Sequence, residues 1–394
     1  MAIDLEQVYN RLFSHCQSQN FAGHDPFDGL NSRLFQLTPL KYLAPARLAW
    51  LQMVKRSPVD LRAALFVPKE VNPKGLALFA LAELSRYRAT QDEAHAENAK
   101  ALLDRLLAAA ITGTTSGGQP TTAFGYNFDW QSRNFYVPRG TPAIVPTAFG
   151  AQACIEAYEV FKDEKYLEAV KEICIFIVAG LNRPVETEDE LCFSYTPVDK
   201  TQIYNASLLA GECLARVGAI NGNADYLEMA ARTARFIVRR QRSDGAWTYG
   251  EDSVQAWVDN FHTAYILLSL KRISDLVPGL AAETAEARTK GTRYWLDNFF
   301  LDDGTPKYYD NSIYPVDIHS VAAAIAALAE LGSENEEMPP LAHKIAEWAT
   351  ANLRDPKGFY YYQKRKSRIV RTPFLRWGQA WMAYALAKLI EAQN

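Results

Sequence analysis

This 394-residue chain holds five cysteines, Cys16, Cys154, Cys174, Cys192 and Cys213, and no two of them stand in C-x-x-C spacing. An odd count without ligand spacing excludes a disulfide framework and a zinc ribbon, and it reads as buried free thiols in a reducing compartment. There is no H-E-x-x-H pair either, so no metal site is expected, and nothing calls for a cofactor. Charge of one sign is also missing: 42 Lys and Arg stand against 45 Asp and Glu, a net of −3. That balance gives no footprint for nucleic acid. No apolar run reaches the roughly 18 residues of a membrane span. Met1–Asn10 carries Asp4 and Glu6 and no apolar core, so no export signal is expected and the expected location is cytoplasmic.

What is present is a repeat. Short polar or aromatic clusters open successive apolar helices: Val145-Pro146-Thr147-Ala148, Tyr204-Asn205-Ala206-Ser207, Asp259-Asn260-Phe261-His262-Thr263, Asp317-Ile318-His319-Ser320 and Arg376-Trp377-Gly378-Gln379. Taking Thr147, Asn205, His262, His319 and Trp377 as equivalent gives spacings of 58, 57, 57 and 58 residues. A fixed period marks repeat architecture. In a closed ring of repeats, equivalent positions lie at one end, so these clusters are expected to converge on one site.

Each repeat reads as inner helix, tight turn, outer helix and long aromatic loop. In the clearest unit, Ala206–Val217 is apolar throughout, Asn221-Gly222-Asn223 is a turn, and Leu227, Ala230, Ala234, Ile237 and Val238 recur at helical spacing up to Arg239-Arg240. The loop Ser243–Gly250 follows. One hairpin cannot bury its apolar faces alone, so neighbours must stack. Before Thr147, Leu5–Cys16, Leu40–Val54, Leu76–Tyr87 and Glu97–Ala109 also read as helices. About a dozen helices make six hairpins. The expected fold is an all-α (α/α)6 toroid with residues 1–394 in one domain; an open superhelix is the structural alternative. Closure is favoured because both ends carry full-strength apolar helices instead of polar caps.

The aromatic loop Phe124–Arg133 adds Tyr126, Asp129, Trp130 and Arg133. Flat apolar faces beside planar donors and acceptors are what a pyranose ring and its hydroxyls require. The competing reading makes Phe128 and Trp130 a plug and pairs Asp129 with Arg133. Tyr204, Asn205, Trp247, Tyr249, Tyr308, Arg376 and Trp377 are the further candidate sugar contacts. Asp129, Asp259, His262, Asp317 and His319 are the candidate catalytic residues, because Asp and His together set a tautomer or act as acid and base. Asp259 and Asp317 serve equally well as helix N-caps. The last loop, Tyr360–Arg368, mixes aromatics with four cations, and at a cavity mouth it would draw an anionic ligand.

Two resemblances follow from these residues. Gln241, Gly245 and Trp247 fit the Q-x-x-x-G-x-W motif of the terpenoid cyclases, where it ties toroid helices together. The D-x-D-D of that family's protonating members and the D-D-x-x-D motif are both missing, since Asp302-Asp303 continues as Gly304-Thr305-Pro306. More widely, Asp25–Ser32, Asp129-Trp130-Gln131, Asp259–Thr263, Tyr314–Ser320 and Arg376–Trp381 resemble bacterial toroid proteins associated with exopolysaccharide biosynthesis. The architecture is similar to six-hairpin glycosidases and α/α-toroid polysaccharide lyases. The resemblance implies a carbohydrate ligand. Three functions stay open: a glycoside hydrolase-like or uronate lyase/epimerase-like enzyme, a sugar-binding scaffold, and a terpenoid or polyprenyl cyclase- or transferase-like protein.

Overall fold

The computed structural model of the chain describes residues 3–132 and 136–393. Three helices come first, α1 (Leu5–Ser18), α2 (Arg33–Gln36) and α3 (Ala44–Arg56). Five hairpins follow: α4 (Pro73–Thr90) with α5 (Glu93–Ala108), α6 (Ile144–Phe161) with α7 (Glu164–Gly180), α8 (Tyr204–Asn221) with α9 (Ala224–Val238), α10 (Asn260–Leu276) with α11 (Leu280–Phe299), and α12 (Ile318–Glu330) with α13 (Met338–Leu353). The chain ends on a π-helical turn, Leu375–Ala380, that runs into α14 (Trp381–Glu391).

The even-numbered helices from α4 to α14 are the inner layer. Each packs on the next, and α14 packs on α4, which closes the ring. Outer helix α1 packs on α14, so the two chain ends assemble the sixth hairpin. The fold is an (α/α)6 toroid. Residues Pro73–Arg86 of α4 are buried without interruption, the apolar run Leu76–Ala82 on every side of the helix and Lys74, Glu83 and Arg86 with it. The outer helices are buried on one stripe only; in α9 the stripe holds Ala230, Ala234 and Ile237. One continuous core runs from Leu5 to Ile390.

Three of the five hairpin turns share one device. Gln91, Lys162 and Gly222 end their inner helices with φ of 57°, 55° and 69°, and the next residue, Asp92, Asp163 or Asn223, caps the outer helix through its side chain. A left-handed residue stops the first helix and an Asx N-cap starts the second. The repeats are then laced at the other end. The first inner-helix N–H of Ile144, Tyr204, Asn260 and Ile318 donates to the carbonyl of Tyr195, Tyr249, Tyr308 and Tyr362, each in the following aromatic loop, at 2.9, 3.3, 2.9 and 3.0 Å. The fifth such bond, Leu375 N to His24 O at 3.0 Å, joins the C-terminal repeat to the N-terminal segment. These bonds satisfy helix-start donors that have no partner within their own helix.

Two features flank the ring. At the C-terminal ends of the inner helices lies a partly buried ion network: Arg272 holds Glu330 at 2.6 Å and Glu212 at 2.8 Å, and Arg88 holds Glu391 at 2.5 Å and Glu156 at 3.0 Å. At the N-terminal ends, residues 24–67 form a cap. Leu30, Phe35 and Leu51 make its small core with Trp50, Trp130 and Tyr136 packed against them. The expected helix Leu40–Val54 divides here into a 3-10 turn, Pro39–Tyr42, and α3, because Pro45 fits only the first turn of a helix.

Candidate active site

Thr147, Asn205, His262 and His319 stand in the first turns of α6, α8, α10 and α12, and Trp377 stands in the π turn before α14. The equivalence read from the spacing therefore gathers them at one pole of the ring, beneath the cap.

Asp259 is the N-cap of α10, and its Oδ1 accepts from His262 N at 3.0 Å. Oδ2 accepts from Trp257 Nε1 at 2.9 Å and from His262 Nδ1 at 2.7 Å. A carboxylate can only accept here, so Nδ1 carries the hydrogen, and in the neutral ring Nε2 keeps its lone pair. Among the described residues Nε2 has no hydrogen-bond partner, and the His262 side chain is 17% exposed while that of Asp259 is 0% exposed. This is the geometry of an oriented base on a partly exposed side chain. Tyr249 covers the imidazole at 4.5 Å between ring centroids and itself stacks on Trp257 at 4.7 Å.

His319 differs in state. Burial, with Lys74 and Arg376 adding to it, holds its pKa well below the usual imidazole value. The ring is neutral, and the Trp377 carbonyl at 3.1 Å can only accept, so Nδ1 donates to it. Nε2 then accepts the Tyr265 hydroxyl at 2.8 Å. Tyr265 lies one turn beyond His262 on the same helix face, their rings 6.2 Å apart. Thus His262 and Tyr265 present a base and a phenol side by side.

Asp317 caps α12 and is saturated with donors: His319 N and Trp377 Nε1 reach Oδ1 at 2.9 Å each, and Gln363 Nε2 reaches Oδ2 at 2.7 Å. Burial raises its pKa to about 6 against these three bonds. Its geometry is that of a group positioning Trp377, which tilts over His319 at 4.1 Å. Asp129 lies apart. It accepts from Arg139 N at 2.8 Å and Gln36 Nε2 at 3.4 Å, shares no partner with Asp259 or Asp317, and orders the cap. Its expected partner Arg133 is outside the described residues.

The expected sugar contacts divide. Tyr126 hydrogen-bonds Tyr195 at 2.8 Å and lies under the Arg376 guanidinium. Trp130 packs 5.8 Å from Tyr195, and Tyr308 meets Phe261 edge-on. With Tyr249 and Trp377, these residues join the aromatic pole. Arg376 faces it too, but its fork is spent on Asp25 at 2.6 and 2.9 Å, which ties the cap to the ring. Asn205 is buried, and its Oδ1 has no partner among the described residues. Two expectations fail. Trp247 is 2% exposed, donates Nε1 to Ile237 O at 2.9 Å and sits against Gly291 of α11. Gln241 of the same motif bridges Gly245 O and Ala287 O at 2.9 and 2.8 Å, so the motif is a staple between outer helices. Tyr204 turns outward to Phe236 and donates to Glu251 at 2.7 Å.

Sequence reasoning missed Lys74, Tyr265, Trp381 and Lys55. Lys74 is in the first turn of α4 and 2% exposed. Its Nζ lies 4.2 Å from the Phe149 ring centroid, 5.2 Å from Trp381 and 5.7 Å from Tyr265. Lys55, at the end of α3, lies 3.9 Å over Phe27, and burial lowers it to about 8 against the pull of Asp317 and Asp25. A lysine in the first turn of α4, just before the apolar run Leu76–Ala82, was the available signal for Lys74. The Ile111–Ala143 insertion hid its equivalence by stretching that repeat. Among the described residues no three His, Cys, Asp or Glu gather as a metal set, and no helix is long and apolar enough to cross a membrane.

No family model and no curated protein matches this sequence. Solved structures match its shape. A sugar epimerase from a ruminal bacterium superposes over 100% of this chain and 99% of its own, with a TM-score of 0.66 at 12% identity. The cellobiose 2-epimerase of Bacillus thermoamylovorans B4167 covers 82% of this chain and 88% of its own, with a TM-score of 0.62 at 12% identity. A family 88 glycosyl hydrolase from Bacteroides vulgatus covers 99% of each chain, with a TM-score of 0.62 at 9% identity. At such identities the likeness speaks for the six-hairpin toroid fold alone.

Proposed function

We propose that the protein is a carbohydrate-processing enzyme of polysaccharide assembly that moves a proton at a sugar carbon next to a carbonyl or carboxyl group, as epimerases, isomerases and lyases do. The observation that carries this reading is the Asp259–His262 pair, with an unpartnered Nε2 facing an aromatic pole. His262 Nε2 takes the proton, Asp259 fixes the tautomer and steadies the imidazolium that forms, and the imidazolium then returns a proton to the carbon, with the Tyr265 hydroxyl, held by neutral His319, beside it. Tyr249, Trp377 and Tyr308 give the flat faces on which sugar rings rest. The sugar epimerases among the similar folds favour the same chemistry. Hydrolysis through two carboxylates flanking a glycosidic bond has less support, because Asp259 is bound to His262, Asp317 is saturated and Asp129 serves the cap. A scaffold role leaves the exposed Nε2 and the orphaned Asn205 Oδ1 without purpose, and the buried charges at this pole disfavour an isoprenoid ligand.

The test is proton NMR in deuterated buffer with a panel of aldoses, uronates and uronate-containing oligosaccharides. The expected result is deuterium entering the position next to the carbonyl or carboxyl carbon, abolished in His262→Asn. Turnover without deuterium entry, or unaltered exchange in a folded His262→Asn protein, overturns the reading.

A further inference from the structure

Lys74 is a buried amine at this pole that has no ion-pair partner among the described residues. It projects from inner helix α4, and the rings nearest its Nζ belong to α6, α10 and α14, so the ammonium sits where the inner helices converge. The residue is 2% exposed. Among the described residues its Nζ makes no hydrogen bond and no ion pair. The neighbouring charges are accounted for: Arg376 is paired with Asp25 at 2.6 Å, and Arg62 with Asp28 at 2.6 Å. Three aromatic faces offset part of the cost of burying an ammonium, but a buried charge without a counter-charge is among the most expensive features a fold can hold. Lys55 repeats the pattern from the cap, resting on Phe27 without a carboxylate in ion-pair distance. Both lysines flank the Asp25–Arg376 pair, and among the described residues neither has a carboxylate within ion-pair distance.

We propose that Lys74 is the contact for a carboxylate on the ligand, and that the substrate is therefore an acidic sugar of the uronate class. This rests on the carbohydrate reading above and narrows it. The placement suits that chemistry. Tyr265 neighbours both groups, its ring centroid 5.7 Å from Lys74 Nζ and 6.2 Å from the His262 ring, so a ligand resting at Tyr265 has the amine and the base near at hand. A cation on the carboxylate withdraws charge from it and acidifies the neighbouring C–H, the bond that His262 would break. Burial, with Arg376 adding to it, lowers the pKa of Lys74 well below the ordinary lysine value, so the amine holds its charge most readily with a carboxylate beside it.

The experiment is calorimetric titration of the full-length protein at pH 7 with D-glucuronate and, as its neutral twin, D-glucose. Wild type is expected to bind glucuronate at least about tenfold more tightly, a lower bound for a buried charge-assisted contact. In Lys74→Met the two affinities should converge. Lys74→Arg, which keeps the charge on a wider planar head, should retain the preference at reduced affinity. Equal binding of both sugars by wild type overturns the acidic-substrate proposal and leaves the carbohydrate reading standing. Binding of neither sugar overturns both. A full preference in folded Lys74→Met assigns the carboxylate to another cation and overturns the role of Lys74. Where circular dichroism shows Lys74→Met unfolded, Lys74→Arg decides: unchanged glucuronate affinity there also overturns it.

Discussion

Asp317 offers a quantitative test of how this ring balances burial against hydrogen bonding. Three donors favour its charged form, yet burial dominates and raises the carboxyl from its ordinary 3.8 to about 6. At about 1.4 kcal/mol per pKa unit, that gap is worth about 3 kcal/mol. The direction follows from proton counting. Between pH 4 and 6 the folded protein binds a proton at this site that the unfolded chain has released. Stability from this group is thus fully present below about pH 4 and lost as pH rises to about 6. In Asp317→Asn the side-chain carbonyl still accepts from His319 N and Trp377 Nε1, and a flipped Gln363 amide meets the new NH2. The variant lacks the titration but keeps the cap, since Asn caps about as well as Asp. Urea unfolding of both proteins, followed by far-ultraviolet circular dichroism at pH 4, 5, 6 and 7, reads the difference. The variant should gain about 3 kcal/mol on wild type across that range. A difference independent of pH would refute the argument. So would one of opposite slope, which would mean that the three donors outweigh burial.

Asp259→Asn should keep the α10 cap and melt within a few degrees of wild type, while solvent deuterium exchange falls about 10²–10⁴-fold, since His262 loses the carboxylate that orients it; unchanged exchange makes Asp259 a cap only. Gly291→Ala should lower stability by about 1–3 kcal/mol, because a Cβ there would stand 2.3 Å from Trp247 Cζ3, and a melting curve identical to wild type would show that the staple yields. Arg272→Met should cost about 3–5 kcal/mol in denaturant unfolding by stranding buried Glu212 beside Glu330; a loss under 1 kcal/mol would mean that the network at that pole is dispensable.

How much of this was legible beforehand differs from residue to residue. The 57–58-residue period placed Asn205, His262, His319 and Trp377 at inner-helix starts because a helical hairpin has a nearly fixed length, and equal steps along the chain become equal steps around a ring. The alternation of fully apolar and one-sided helices followed from burial, which composition records directly. The Q-x-x-x-G-x-W run announced a helix staple, and the contacts of Gln241 and Trp247 are those of one.

Composition does not record direction. Tyr204 and Asn205 are neighbours in sequence, yet helical geometry turns the first outward to Glu251 and leaves the second buried without a partner for its Oδ1. Asp259 and Asp317 looked alike, because both precede a helix and a histidine. The imidazole on Asp259 is local, three residues on, whereas only tertiary packing gave Asp317 donors from Gln363 and Trp377, 46 and 60 residues away. Lys74 was hidden for the same reason. Its charge is ordinary in sequence, and only closure of the ring, which brings Phe149, Tyr265 and Trp381 around it from three other helices, leaves it buried and unanswered. Local periodicity fixes which residues are inside; long-range packing, whose partners are distant in sequence, decides which of those inside are satisfied and which await a ligand.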